Sequence, residues 1–244
     1  MNILLLGSGG REHAFALKLA RSKLASKIFI APGNAGTLQY GINLNFSVID
    51  FETIKNCCIE KEIDLLVVGP EEPLVKGVID FLRADERLKK LRIIGPTKQA
   101  SQLEGSKAFA KAFMQRHTIP TAAYKEFTAE NFTEGVEYIH QHQLPIVLKA
   151  DGLAAGKGVI ICQNRVEAVA EFELMTQHAK FGEAGKKVVI ELFLKGIELS
   201  VFVLTDGRDY LLLPEAKDYK RIGEGDSGLN TGGMGAISPV PFVS

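Results

Sequence analysis

The chain has 244 residues, of which 46% are apolar and 24% charged, the balance of an ordinary globular protein. Lys plus Arg (29) equals Asp plus Glu (29), so the formal charge is zero and no basic footprint marks a nucleic acid or an anionic membrane as partner. No apolar run nears the ~20 residues needed to cross a bilayer, the start at Met1 to Gly10 lacks a basic lead, and Cys57, Cys58 and Cys162 show no zinc spacing. A cytoplasmic chain with reduced, buried thiols is expected.

The first hundred residues alternate strand and helix signals. Asn2 to Leu6 is a buried strand ending at Gly7, Glu12 to Leu24 a helix, and Ile28 to Ile30 a second strand stopped by Ala31-Pro32-Gly33-Asn34. Asp64 to Val68 is a further strand, Pro73 to Arg83 a helix, and Arg92 to Ile94 another strand before Gly95-Pro96. Such alternation implies a parallel sheet whose ligands sit beyond the carboxyl ends of its strands. The glycine-containing stops at 7–10, 33–36, 69–70 and 95 are expected to gather on that edge.

From Gln102 the pattern changes. Ser106 to Gln115 reads as a helix, Ala122 to Phe127 as a strand, Ala129 to His142 as a helix and Ile146 to Ala150 as a strand. Val159 to Cys162 is a strand, and Asn164 caps a helix that runs to His178. Lys187 to Phe193, Glu198 to Thr205 and Tyr210 to Pro214 read as successive antiparallel strands, with Asp206-Gly207 as a hairpin signal. Arg221 to Gly235 holds six glycines in fifteen residues and reads as a long functional loop.

Four stretches carry chemistry. Gly7-Ser8-Gly9-Gly10-Arg11-Glu12 follows a strand and opens a helix, but Glu12 stands where a dinucleotide fingerprint has its third glycine, and the second strand ends without the acid that holds a ribose. An NAD-dependent dehydrogenase is therefore disfavoured; the turn reads either as a phosphate seat at a helix N-terminus or as a plain tight turn. Lys149 to Gly158 places Lys149 at a strand end and Lys157 in a small-residue loop, the cations and backbone donors a polyphosphate needs, although a surface hairpin would look similar. It is not a Walker loop, because Gly158 follows Lys157 and a strand follows where a helix should. Val188 to Glu198 sets two carboxylates around a turn, a weak signal that solvated strand-edge acids also give. Lys217 to Arg221 and Asp226 to Gly235 pack charge beside a permissive backbone, which fits close approach to a ligand or a disordered tail.

Taken together, Gly-Ser-Gly-Gly-Arg-Glu-His-Ala at 7–14, Val-Gly-Pro-Glu-Glu-Pro-Leu at 68–74, Lys-Ala-Asp-Gly-Leu-Ala-Ala-Gly-Lys-Gly-Val at 149–159 and Asn-Thr-Gly-Gly-Met-Gly-Ala at 230–236 resemble the phosphoribosylamine–glycine ligase (glycinamide ribonucleotide synthetase) family of the ATP-grasp superfamily. The resemblance implies an α/β fold: an N-terminal parallel-sheet (Rossmann-like, pre-ATP-grasp) domain over 1–101, then incomplete α+β ATP-grasp lobes. Of these, 102–120 and 191–244 would form part of the central domain and 121–190 the small lid lobe. It implies ligation of glycine to 5-phosphoribosylamine through a glycyl phosphate, with ATP and Mg²⁺ (or Mn²⁺), in purine biosynthesis.

By motif, Lys107, Lys149, Gly152, Gly156, Lys157 and Gly158 would hold ATP phosphates, with Glu191 and Leu194 near adenine and Glu198 on ribose. Gly9, Gly10, Asn34 and Glu71 would hold phosphoribosylamine; Asn230, Thr231, Gly232 and Gly233 would face the reacting groups with Asp218 and Lys220 as the catalytic pair. His13 would pack or orient substrate. Family members are much longer, so the resemblance also implies a sequence that stops inside a domain, metal ligands beyond Ser244, and no complete ligation by this stretch alone. A related ATP-grasp carboxylase would share the lysines but lack the Asn-Thr-Gly-Gly-Met-Gly run, and a non-catalytic nucleotide-binding module would show no magnesium-dependent turnover.

Overall fold

The structure is a computed structural model that describes residues 1–154, 158–178, 180–225 and 227–243, with Leu229 and Asn230 described by their backbone. It divides into two compact units, Met1–Phe113 and Met114–Ser244.

In the first unit five strands form one parallel sheet: β1 (Asn2–Gly7), β2 (Lys27–Pro32), β3 (Ile42–Asn43), β4 (Leu65–Val68) and β5 (Arg92–Ile94). The spatial order is β3-β2-β1-β4-β5, so the chain leaves β1 toward one side and later returns to its other side. Alternation along the strands sorts their side chains. Leu4, Leu6, Phe29, Leu66 and Val68 face one core, shared with helices α2 (Phe51–Glu60) and α4 (Val78–Arg83). Ile3, Leu5, Ile28, Ile30 and Val67 face another, closed by Ala16 and Leu19 of helix α1 (Gly10–Ala20). Cys57 and Cys58 are buried on α2; burial pushes the Cys58 thiol up to about 12, so it is inert filler as expected.

Several boundaries differ from expectation. α1 ends at Ala20, not Leu24, because the chain must turn at once to start β2 beside β1; the N-terminal ammonium donates to Leu24 O at 2.7 Å and Ser26 N–H to Met1 O at 2.8 Å. The helix expected over Pro73 to Arg83 is two, α3 (Glu71–Lys76) and α4, broken at Gly77, whose φ of +96° is left-handed. α2 and the short β3 were not anticipated. α5 (Gln102–Gly105) and α6 (Lys107–Arg116) follow β5.

In the second unit β6 (Tyr124–Thr128), β7 (Ile146–Ala150), β8 (Val159–Cys162) and β9 (Lys187–Leu192) form an antiparallel sheet in the order β6-β9-β7-β8. One face packs under α7 (Phe132–Gln141) and α8 (Arg165–Thr176) around Phe127, Leu148, Phe172, Met175 and Ile190. Asn164 caps α8 as anticipated, its side chain accepting from Glu167 N–H at 2.9 Å. The helix expected from Ala129 opens with a short 3-10 turn, and its α-helical part begins at Phe132.

A three-stranded antiparallel sheet follows: β10 (Ser200–Thr205), β11 (Tyr210–Gly223) and β12 (Ser227–Ile237). The Asp206-Gly207 hairpin is present, Asp206 Oδ1 accepting from Arg208 N–H and Asp209 N–H at 2.9 Å each. The stretch Arg221 to Gly235, read as a loop, is a hairpin instead. Glycine at 228 and 233, with φ of +82° and +127°, lets an irregular ladder bulge while staying paired.

Candidate functional site

At the carboxyl edge of the parallel sheet, β1 ends in Gly7 and β4 runs into Gly69, the two central strands at which the strand order reverses. A ligand crevice belongs at this point of an open α/β sheet. Gly33 N–H donates to Gly7 O at 3.1 Å and Gly69 N–H to Leu6 O at 3.0 Å, so the stops gather as expected. Asn34 ties two of them: its Nδ2 donates to Ser8 O at 2.9 Å while its Oδ1 accepts from Gly36 and Thr37 N–H at 2.8 and 3.0 Å. His13 stacks near Tyr40, ring centroids 5.5 Å apart, against Gly36.

Two residues in the first turn of α1 decide the chemistry of this edge, and neither was among the site residues expected. Glu12 is 4% exposed; its Oε2 accepts from Gly9 N–H at 2.7 Å and its Oε1 from Arg11 Nε at 3.1 Å. Arg11 Nη1 donates to Glu71 at 3.1 Å. Burial alone would lower the Arg11 guanidinium, but bonds to both carboxylates hold it above its ordinary value. The run Gly-Gly-Arg-Glu carried the signal, since a charged pair at a fingerprint's third-glycine position calls for a partner. Gly10 faces open space.

In the second unit Lys149 stands next to last on β7, opposite Val189 on β9, which makes Glu191 its diagonal neighbour on the same face. The two form an ion pair, and Glu191 is 4% exposed. Beyond Lys149 the chain closes at Ala150 N–H to Gly158 O, 2.8 Å. Gly152 and Gly158 sit tight: a Cβ at Gly152 would lie 2.9 Å from Ala184 Cβ, and one at Gly158 would lie 2.7 Å from Ala154 Cβ. Gly156 and Lys157 lie outside the described residues. Leu194 is exposed past the end of β9. Lys107 opens α6 in the first unit.

A second cluster forms on β11. Lys220 Nζ pairs with Glu198 and lies 3.5 Å from Asp218. The bond to Glu198 raises the Lys220 ammonium above its ordinary range. Across the hairpin, Thr231 Oγ1 donates to Lys220 O at 2.8 Å and accepts from Gly233 N–H at 3.1 Å. The backbone of Asn230 pairs with Arg221, and Gly232 faces open space. Glu198, Asp218, Lys220 and the 230–233 backbone are thus gathered in one neighbourhood.

Residues 1–104 match the family model described as the phosphoribosylglycinamide synthetase N domain, and residues 105–244 match its ATP-grasp (A) domain. The chain belongs to the phosphoribosylglycinamide synthetase family. Among curated members, phosphoribosylamine–glycine ligase of Haemophilus influenzae is 50% identical over 246 residues, covering 100% of this chain and 56% of that protein. That of Pseudomonas aeruginosa is likewise 50% identical, with the same coverage. The crystal structure of phosphoribosylamine–glycine ligase from Thermotoga maritima superposes with a TM-score of 0.78 at 35% identity, over 98% of this chain and 56% of that one. The chain therefore spans a little over half the length of these phosphoribosylglycinamide synthetases, and its α/β and ATP-grasp architecture is the one the sequence resemblance implied.

Proposed function

We propose that the protein carrying this sequence ligates glycine to 5-phosphoribosylamine at the expense of ATP, by way of a glycyl phosphate, giving glycinamide ribonucleotide, ADP and phosphate, in the cytoplasm. Family membership supports the reaction class, and one observation supports the ATP site. Lys149 stands next to last on its strand beside the buried Glu191 carboxylate, where the chain closes at Ala150 and Gly158. There Lys149 offers an ammonium to a phosphate, with the Gly152 and Gly158 backbones close by and Gly156 and Lys157 completing the run in sequence. Glu191 and Leu194 would border adenine, Glu198 the ribose, and Lys107 a further phosphate. Gly9, Gly10, Asn34 and Glu71 would hold the ribosylamine.

The residues present act by position and charge. Lys220, set between Glu198 and Asp218, offers a cation to charge developing on a phosphoryl group, with the 230–233 backbone beside it. No side-chain nucleophile is required by the reaction. A divalent cation, Mg²⁺ or Mn²⁺, would neutralise charge on the γ-phosphate when bound. Among the described residues no three His, Cys, Asp or Glu side chains converge as such a site requires, so no step is assigned through it.

Calorimetry with ATP tests the site. Lys149→Ala should weaken ATP binding by at least ~1.5 kcal/mol, the lower range for losing a charged hydrogen-bond partner. Because the change also strips a charge partner from Glu191, the double variant Lys149→Ala, Glu191→Ala should regain stability without regaining ATP. Unchanged affinity in a folded Lys149→Ala would overturn the assignment.

A further inference from the structure

The glycine turn after β1 has the shape of an anion seat, yet a side chain of the chain itself fills it. Cβ atoms placed on Gly7 and Gly69 would lie 2.4 and 2.2 Å from the Glu12 side chain, and one on Gly9 would lie 3.0 Å away. These glycines therefore make room for a carboxylate. Its Oε2 already takes the Gly9 N–H, the donor at the start of α1 that a phosphate would need, as the N3 acid of a capping box does. The neighbouring charges are Arg11, committed to Glu12 and Glu71, and Glu71 itself, so two carboxylates face one guanidinium.

We propose that Glu12 is the resident anion of this turn and a specificity-determining residue: it excludes phosphate and pyrophosphate from the carboxyl edge of the parallel sheet and leaves the edge to groups that donate hydrogen bonds. This rests on the ligase reading only for the ligand's identity. On that reading the edge takes the amine and hydroxyl end of the amino sugar, through Glu71, and the sugar phosphate is held elsewhere. Glu12 acts through Gly9 and Arg11 and is a positioning residue. A phosphate brought to Gly9 would displace a buried carboxylate from its donor and meet net negative charge, and each loss disfavours it. Glu12 thus does at the third-glycine position what a bound dinucleotide does elsewhere.

The test titrates the protein with inorganic pyrophosphate while following the Gly9 and Gly10 amide resonances, in wild type, Glu12→Gln and Glu12→Gly. Glu12→Gly restores the third glycine and frees the Gly9 amide; Glu12→Gln removes the charge and keeps an acceptor. The wild-type Gly9 resonance should not move. Glu12→Gly should bind pyrophosphate about tenfold or more tightly than wild type, the scale of one charge-assisted hydrogen bond, with Glu12→Gln between. In steady-state ligation by the whole protein that carries this sequence, Glu12→Gln should raise KM for the ribosylamine and spare kcat, a split that general loss of structure would not give. Saturable movement of Gly9 in the wild type overturns the proposal whatever the variants do, as does a folded Glu12→Gln with unchanged pyrophosphate affinity. Absence of ATP binding to the wild type would instead count against the ligase reading and leave the Gly9 result standing.

Discussion

His142 follows α7 and is 7% exposed, its ring 4.9 Å from that of Tyr138. Burial holds its imidazole below the ordinary value, so the folded state keeps it neutral where an unfolded chain would protonate it. The unfolded state then binds more protons as pH falls below about 6.5, the reference value. Stability is therefore full above that pH and is lost as pH falls toward the depressed folded value. The chemical denaturation midpoint of the wild type should drop between pH 7 and 5 by more than that of His142→Gln, and equal drops in the two proteins would remove His142 as the cause.

Helix α8 carries Phe172 and Met175 into the core of the four-stranded sheet, and its start depends on Asn164. Asn164→Ala should cost about 1 kcal/mol, the usual loss for an N-cap side chain, seen as a lower urea midpoint and faster amide exchange at Arg165 to Glu167. An unchanged midpoint would mean that the Glu167 N–H finds another acceptor. This cap was legible because Asn precedes an apolar-periodic run, and β1, β4, β5, β7 and β8 were legible because buried strands read as short apolar runs bounded by glycine or proline. Helix α2 escaped notice although Asp50 caps it by the same rule, accepting from Thr53 N–H at 3.1 Å; its face of Ile54, Cys57 and Cys58 is mixed with polar residues that blur the period. The hairpin of β11 and β12 was hidden by its glycines, which signal turns locally but here relieve bulges in a ladder. Of the sheet-edge residues, Gly9, Gly10, Asn34 and Glu71 could be placed from the pattern of strand stops. Arg11 and Glu12 were not placed with them: the three-residue spacing of Gly9 and Glu12 was a local signal, whereas the Arg11 bond to Glu71 is set by tertiary proximity of residues 60 apart.

Across the molecule, the described residues fall into well-buried cores and one sheet that is not buried. Val201, Phe202, Val203 and Leu204 on β10, with Tyr210, Leu211, Leu212 and Leu213 on β11, are all exposed, on both faces of the sheet. An apolar surface of this extent marks a site for further protein contact. A polypeptide of these 244 residues should associate as its concentration rises, and Leu211→Thr with Leu213→Thr should reduce the association in sedimentation velocity. Equal association by both would place the sticky surface elsewhere. Exposure on both sides has another effect. A sheet with one buried face is held against slippage, because moving one strand by a single residue would turn its apolar side chains out to water. Within these 244 residues both sides are apolar and both are wet, so such a step exchanges like for like, and solvent cannot tell right from wrong alignment. Beside the Glu198–Lys220 ion pair, what chooses between alignments is the Asp206 turn, fixed by its two 2.9 Å bonds and by Thr205 Oγ1 donating to Asp209 O at 2.7 Å. Four residues at the tip thus act as the ruler from which the distances to Asp218 and Lys220 are counted, and the placement of the charged cluster is an inheritance from a turn that touches none of it.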